Sequence, residues 1–195
     1  CSACSRLLVE RGIAAELVER VAARARRITV GPALADRDLG PLVSAEQHGK
    51  VLAHLDAARQ DGARIVCGGG RPADLPRGWF VAPTVLDRVD PASPIAREEV
   101  FGPVLAVSAF DGEAEALRLA NGLDYGLVAG VYTRDIGRAL RLARRLEAGS
   151  VWINGWYLGG QQAPTGGIKA SGIGKERGLT GVRNYLHAKN VAVRL

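Results

Sequence analysis

The side chains in this sequence best suited to making and breaking bonds are its three cysteines, and two of them are closely spaced. The opening stretch "CSACSR" sets Cys1 and Cys4 in a C-x-x-C, while Cys67 stands far away in "ARIVCGG". A C-x-x-C can be half of a structural zinc site, but such a site needs four ligands. There is no second C-x-x-C, and Cys67, His48, His54 and His187 are scattered without ligand spacing, so no metal is expected. A redox pair needs one thiol with a lowered pKa, usually at a helix start that follows a strand, and no strand precedes Cys1 here. A chain beginning with Cys could instead use its own α-amine as the base for its side chain, as N-terminal hydrolases do. Two further readings stand beside that one: a small buried hydrophobe, which suits Cys4 and Cys67, and a nucleophilic thiol at Cys1 whose partners lie elsewhere.

Whatever the thiol does, other elements must hold it in place. Ile13, Leu17, Val21, Ala25 and Ile28 recur at helical spacing with charged residues between them, which predicts an amphipathic helix. Ser44 precedes Gln47 by three residues in "SAEQHGKVLAHLDAARQDG", a capping-box start, and Gly62 supplies a left-handed stop for a second helix. "ARIVCGG", "WFVAPTVL" and "PVLAVSAF" are short β-rich runs punctuated by Gly and Pro. Next come a helix at "EAEALRLANG", a strand at "VAGVYT", a helix at "IGRALRLARRL" opened by Asp135, and a strand at "SVWIN". This alternation predicts an α/β fold, a mostly parallel sheet with helices on both faces. The Gly-rich stretch "QQAPTGGIKASGIGKERGLTG" reads as an ordered irregular loop. The last six residues of "YLHAKNVAVRL" read as a strand with open edges, suited to pairing with another subunit.

Composition narrows the function classes. The 195 residues are 47% hydrophobic, enough for a buried core. The net charge of +6 comes largely from helical segments such as "RVAARARRI" and "RALRLARRL", whose basic residues form a solvated face, so no nucleic acid is expected. Aromatic residues make up only 5% and do not alternate with basic ones, which leaves no stacking platform for single strands. No apolar run is long enough for a membrane span and no signal pattern opens the chain; together with three unpatterned cysteines, this points to a reduced, cytoplasmic setting. The complete lack of Met points to a piece of a longer chain.

"CSACSR", "EEVFGPVLAV" at 98–107, "ANGLDYGL" at 120–127, "GSVWIN" at 149–154 and "PTGGIKASGIGKERG" at 164–178 together resemble the aldehyde dehydrogenase family, in family order and at family spacing. In that family the catalytic thiol lies five residues before an Arg, in a pattern like G-Q-x-C-x-x-x-S/T-R. Counting back from Arg6 reaches Cys1, with Ser5 in the hydroxyl position. The resemblance therefore implies that Cys1, and not Cys4, is the nucleophile. It implies oxidation of an aldehyde to a carboxylate through a cysteine thiohemiacetal and a thioester, with NAD or NADP as cofactor. The family's oxyanion Asn and general-base Glu lie upstream of the matched motifs, so the chain alone is expected to be inactive.

The same resemblance assigns further residues. Glu99 corresponds to the Glu that hydrogen-bonds the nicotinamide ribose, and Phe101 to the aromatic residue packed beside it. Gln47 and Lys50 correspond to residues reaching the same ribose, with ordinary helix-surface positions as the alternative. Asn154 falls near the expected substrate pocket, or serves as a turn residue beside Gly155. Thr165 stands where many relatives carry Phe, which opens the question of substrate class; Trp152, Trp156 and Tyr157 could line an apolar tunnel or be plain core. The resemblance also implies a catalytic domain at 1–172, a segment at 173–195 bearing the oligomerisation strand, and a homodimer or homotetramer. Two other classes are kept: a truncated relative acting only as an interaction or structural protein, and an N-terminal cysteine hydrolase.

Overall fold

The computed structural model describes residues 1–195, which pack as two units: Cys1 with Ala3–Leu119, and Ser2 with Ala120–Leu195. The first unit runs through β1 (Arg6–Glu10), α1 (Arg11–Ala25), α2 (Ala45–Gln60), β2 (Arg64–Cys67), β3 (Thr84–Asp87), the short α3 (Pro94–Arg97), β4 (Val104–Phe110) and α4 (Gly112–Asn121), whose last residues fall in the second unit. Its sheet has the order β1-β4-β3-β2. β1 and β3 run parallel to β4, and β2 runs antiparallel to β3.

Strand periodicity divides the core in two. Successive side chains of a strand face opposite sides, so Val85 and Val107 join Val9 and Val18 of α1, while Leu86 and Ala106 join Val51, Leu55 and Ala58 of α2. α1 and α2 therefore cover opposite faces of the sheet, as the alternating pattern implies. Leu55 and Leu86 are fully buried, and each contributes roughly 1.5–3 kcal/mol by leaving water.

Local chemistry explains where the elements begin and end. Ser44 Oγ accepts the Gln47 N–H at 3.1 Å at the start of α2, and Gly62 takes φ 87° just beyond its end. β1 was not legible in the sequence, because it abuts α1 directly with no turn residue and pairs with β4 about a hundred residues on. The run "WFVAPTVL" becomes strand only from Thr84, since Pro83 has no N–H for the ladder.

The second unit contains β5 (Tyr125–Gly126), β6 (Val128–Val131), α5 (Ile136–Arg145), β7 (Ser150–Ile153), β8 (Ile168–Lys169) and α6 (Gly178–Arg183). β6 pairs parallel with β7, and β5 pairs antiparallel with β8. The Asp135 carboxylate accepts the Arg138 N–H at 3.0 Å and so caps α5. The Gly-rich stretch is packed tightly: a Cβ at Gly149 would stand 1.7 Å from the Gly166 carbonyl oxygen, and Gly166 has φ 151°. The short helix α6 lies where the sequence suggested irregular chain. The last residues, read from sequence as a strand, form none in the single chain, and Val191, Val193 and Leu195 are exposed there. No helix is long and apolar enough to cross a membrane.

Candidate functional site

The loop between α3 and β4 alternates sharply in exposure. Glu98 and Glu99 face solvent, Val100 is buried in the α2 side of the core, and Phe101 turns outward again at 62% exposure. Phe101 achieves this with φ 52°, a left-handed conformation that is uncommon for a side chain of its size. Three residues of α2 lie against the loop, and their spacing of i, i+4 and i+7 puts them on one helix face. Gln47 Nε2 donates to the Val100 carbonyl at 2.9 Å and to the Phe101 carbonyl at 3.1 Å. Val51 lies so close behind Gly102 that a Cβ there would meet Val51 Cγ2 at 2.7 Å. His54 Nε2 lies 3.8 Å from the Glu98 carboxylate.

This corrects one sequence expectation. A full capping box would send the Gln47 side chain back to the Ser44 N–H, whereas it instead reaches the two loop carbonyls and leaves only the Ser44 half of the motif. Lys50 Nζ pairs with Glu46 at 2.7 Å one turn away; both side chains are exposed, so the pair is weak. Glu99 and Phe101 present a carboxylate that can accept hydroxyl hydrogens and an apolar ring that can pack against a flat group.

The cysteine segment distinguishes its two thiols. Neither Cys1 nor Cys4 forms a disulfide. Cys4 Sγ donates to the Arg6 carbonyl at 3.4 Å. Although Cys4 is exposed as a residue, loss of solvent around its sulfur pushes the thiol up, and the bond to Arg6 offsets this only in part. A raised pKa leaves less thiolate at Cys4 than at an ordinary cysteine. Arg6 Nη2 donates to the Leu119 carbonyl at 2.9 Å near the end of α4, where a cation suits the helix dipole. Desolvation first, and the neighbouring charge of Arg97 second, lower the Arg6 pKa, but a guanidinium remains charged. Ala106 N–H donates to the Ser5 carbonyl at 2.9 Å, so the chain just after Cys4 is fixed along β4.

In the second unit, Asn154 ends β7 with φ 54°. Its Oδ1 accepts the Thr133 N–H and its Nδ2 donates to the Thr133 carbonyl, both at 2.9 Å, so the amide ties β7 to the turn before α5. Thr165 exchanges two backbone hydrogen bonds with Glu176, at 2.8 and 2.7 Å. Lys175 Nζ donates to the Gly166 and Gly167 carbonyls beside it. Trp152 makes an edge contact with Trp156 at 5.0 Å between centroids and a tilted one with Tyr157 at 5.4 Å. Sequence reasoning gave Val51 and His54 no role. The 47–51–54 spacing was visible, but its target loop lies more than forty residues on.

Comparison with known proteins gives a consistent outcome. The model of the aldehyde dehydrogenase family matches residues 1–191. The chain is 43% identical over 192 residues to the chloroplastic betaine aldehyde dehydrogenase of Beta vulgaris, covering 98% of this chain and 38% of that protein. It is 47% identical over 192 residues to the peroxisomal aminoaldehyde dehydrogenase 1 of Pisum sativum, again covering 98% and 38%. A crystal structure of betaine aldehyde dehydrogenase from Staphylococcus aureus in complex with NAD+ superposes with a TM-score of 0.92 at 43% identity, over 97% of this chain and 38% of that one. The chain thus spans well under half the length of the relatives it matches. With nearly all of its residues matched by one family model and with relatives above 40% identity, the chain belongs to the aldehyde dehydrogenase family.

Proposed function

We propose that this chain is the thiol-bearing part of an NAD-dependent aldehyde dehydrogenase, in which Cys1 takes up the aldehyde and releases it as a carboxylate. The observation that carries this reading is the exposure of both Glu99 and Phe101 on a loop held by Gln47 of α2. An exposed carboxylate accepts the hydroxyl hydrogens of a ribose, and an exposed ring packs against the base joined to it, so the residues present fit a nicotinamide nucleoside. NAD+ bound there supplies an acceptor for the hydride of the aldehyde carbon. The Staphylococcus aureus relative was solved with NAD+, which supports that choice over NADP.

The chain's own chemistry centres on Cys1. Its thiolate attacks the aldehyde carbon, forming a C–S bond while the carbonyl π pair moves to oxygen as a tetrahedral thiohemiacetal. Loss of hydride from that carbon restores the C=O bond as a thioester. Water then adds to the thioester, the C–S bond breaks, and the products are a carboxylate and the free thiol. The family's Asn for the oxyanion and Glu for activating water lie outside the residues present, and on this reading the chain alone does not turn over.

The relatives named for betaine aldehyde and aminoaldehydes make a cationic aldehyde the first substrate class to test. The Trp152, Trp156 and Tyr157 rings could attract an ammonium group through their faces, while Thr165 offers no ring at its own position. Residues 190–195, with Val191, Val193 and Leu195 exposed at strand spacing, are assigned to pairing with a second copy in a homodimer or homotetramer. The test is NADH formation by the complete polypeptide with betaine aldehyde, an aminoaldehyde and a neutral aliphatic aldehyde. Turnover of any of them is expected, and no NADH from all three contradicts the proposal.

A further inference from the structure

We propose that Gln47 is a positioning residue, acting as a double donor that sets the backbone of Phe101, and not as a ligand of the ribose. The inference rests on the cofactor reading of Glu99 and Phe101. Only the NH2 end of an amide can face two carbonyl oxygens, so the bonds to Val100 and Phe101 fix which way the Gln47 side chain points. Those carbonyls belong to the peptide planes on either side of the Phe101 Cα. Holding both planes fixes φ and ψ of Phe101 together, and φ there is 52°. A bulky residue keeps a left-handed conformation only where its surroundings over-determine it. The donor is itself fixed: the Gln47 N–H is held by Ser44 at 3.1 Å, and one turn on, Val51 closes the space behind Gly102. Release of the clamp would let Phe101 relax to negative φ, and its ring would then leave the direction that the left-handed conformation gives it.

Gln47→Glu separates the two roles. Glu keeps an acceptor for a ribose hydroxyl but sets a carboxylate against two carbonyl oxygens, so a ribose ligand survives the change and a clamp does not. In the complete polypeptide, NAD+ affinity is measured by calorimetry for Gln47→Glu, Gln47→Ala and Glu99→Ala, and amide exchange is followed at Val100–Gly102 in the cofactor-free protein. Both Gln47 variants are expected to bind NAD+ about tenfold more weakly, as befits the loss of two modest hydrogen bonds, and to exchange faster at the loop. Wild-type affinity in Gln47→Glu alongside weakened binding in Gln47→Ala would overturn the clamp, as would unchanged exchange in both. Unchanged NAD+ affinity in Glu99→Ala would count against the cofactor reading alone, and the exchange measurement would still decide the clamp.

Discussion

The indole Nε1–H of Trp156 donates a 2.8 Å hydrogen bond to the backbone carbonyl of Ser2. Trp156 is also confined by Trp152 and by Gly130, where a Cβ would meet its ring at 2.6 Å. Residues separated by 154 positions are thus tied through one donor, next to the cysteine proposed as the nucleophile. Trp156→Phe removes the donor together with part of the indole ring that packs on Trp152 and over Gly130, so its cost includes packing as well as the bond. Urea unfolding is expected to show a loss of about 1–3 kcal/mol, and alkylation of Cys1 by iodoacetamide to change in rate. A Phe variant matching the unmodified protein in both would show that the bond holds nothing.

The contact of Gly102 with Val51 predicts a size-dependent coupling. Gly102→Ala places a methyl group 2.7 Å from Val51 Cγ2, and Val51 is fully buried, so overpacking should cost about 1–3 kcal/mol. Val51→Ala makes room for that methyl group. The double variant should therefore lose less stability than the two single variants summed, by about 0.5–3 kcal/mol, while strict additivity would mean that the two sites do not touch.

Acid should destabilise the fold through three exposed carboxylates. Asp38 is held below its ordinary value by the Thr29 N–H and then by the Thr29 hydroxyl, Asp111 by its bond from Arg11, and Asp135 chiefly by the Arg138 N–H that it caps. Each has a lower pKa folded than unfolded, so its stabilisation is complete above the unfolded value, about 4, and is lost as pH falls through the folded value. Asp135→Asn keeps the cap without the charge and should flatten the dependence of the urea midpoint on pH below about 5. High salt should weaken the contribution of the Asp111–Arg11 pair. An acid limb unaltered in Asp135→Asn would assign the dependence to other groups.

How much could be read in advance depended on whether a feature was local. Helix α2 carried its start in Ser44 and its stop in Gly62, and α5 carried its cap in Asp135, because capping chemistry lies within a few residues of the end it serves. β1 exists only by pairing with β4, and nothing inside Arg6–Glu10 announces that partner. The tight approach of Gly149 to the Gly166 carbonyl joins positions on two separate stretches, and nothing in either one alone shows it. For the site, the resemblance assigned roles to Glu99 and Phe101 by motif, yet the partners of Gln47 depend on a helix and a loop distant in sequence being packed together. Cys4 illustrates the same limit: its sequence suited a small buried residue, whereas in the fold it is exposed.

The proposed role of Cys1 is the centre of the account, and covalent capture tests it most directly. The complete polypeptide is mixed with an accepted aldehyde and NAD+, quenched in acid, and examined by peptide mass spectrometry, alongside steady-state NADH formation by Cys1→Ala. The account predicts an acyl adduct on the peptide containing Cys1, carried by Cys1 and not Cys4, and a fall in turnover of roughly a thousandfold or more in the variant. Turnover by Cys1→Ala at the unmodified rate, or an acyl group found on Cys4, would contradict it.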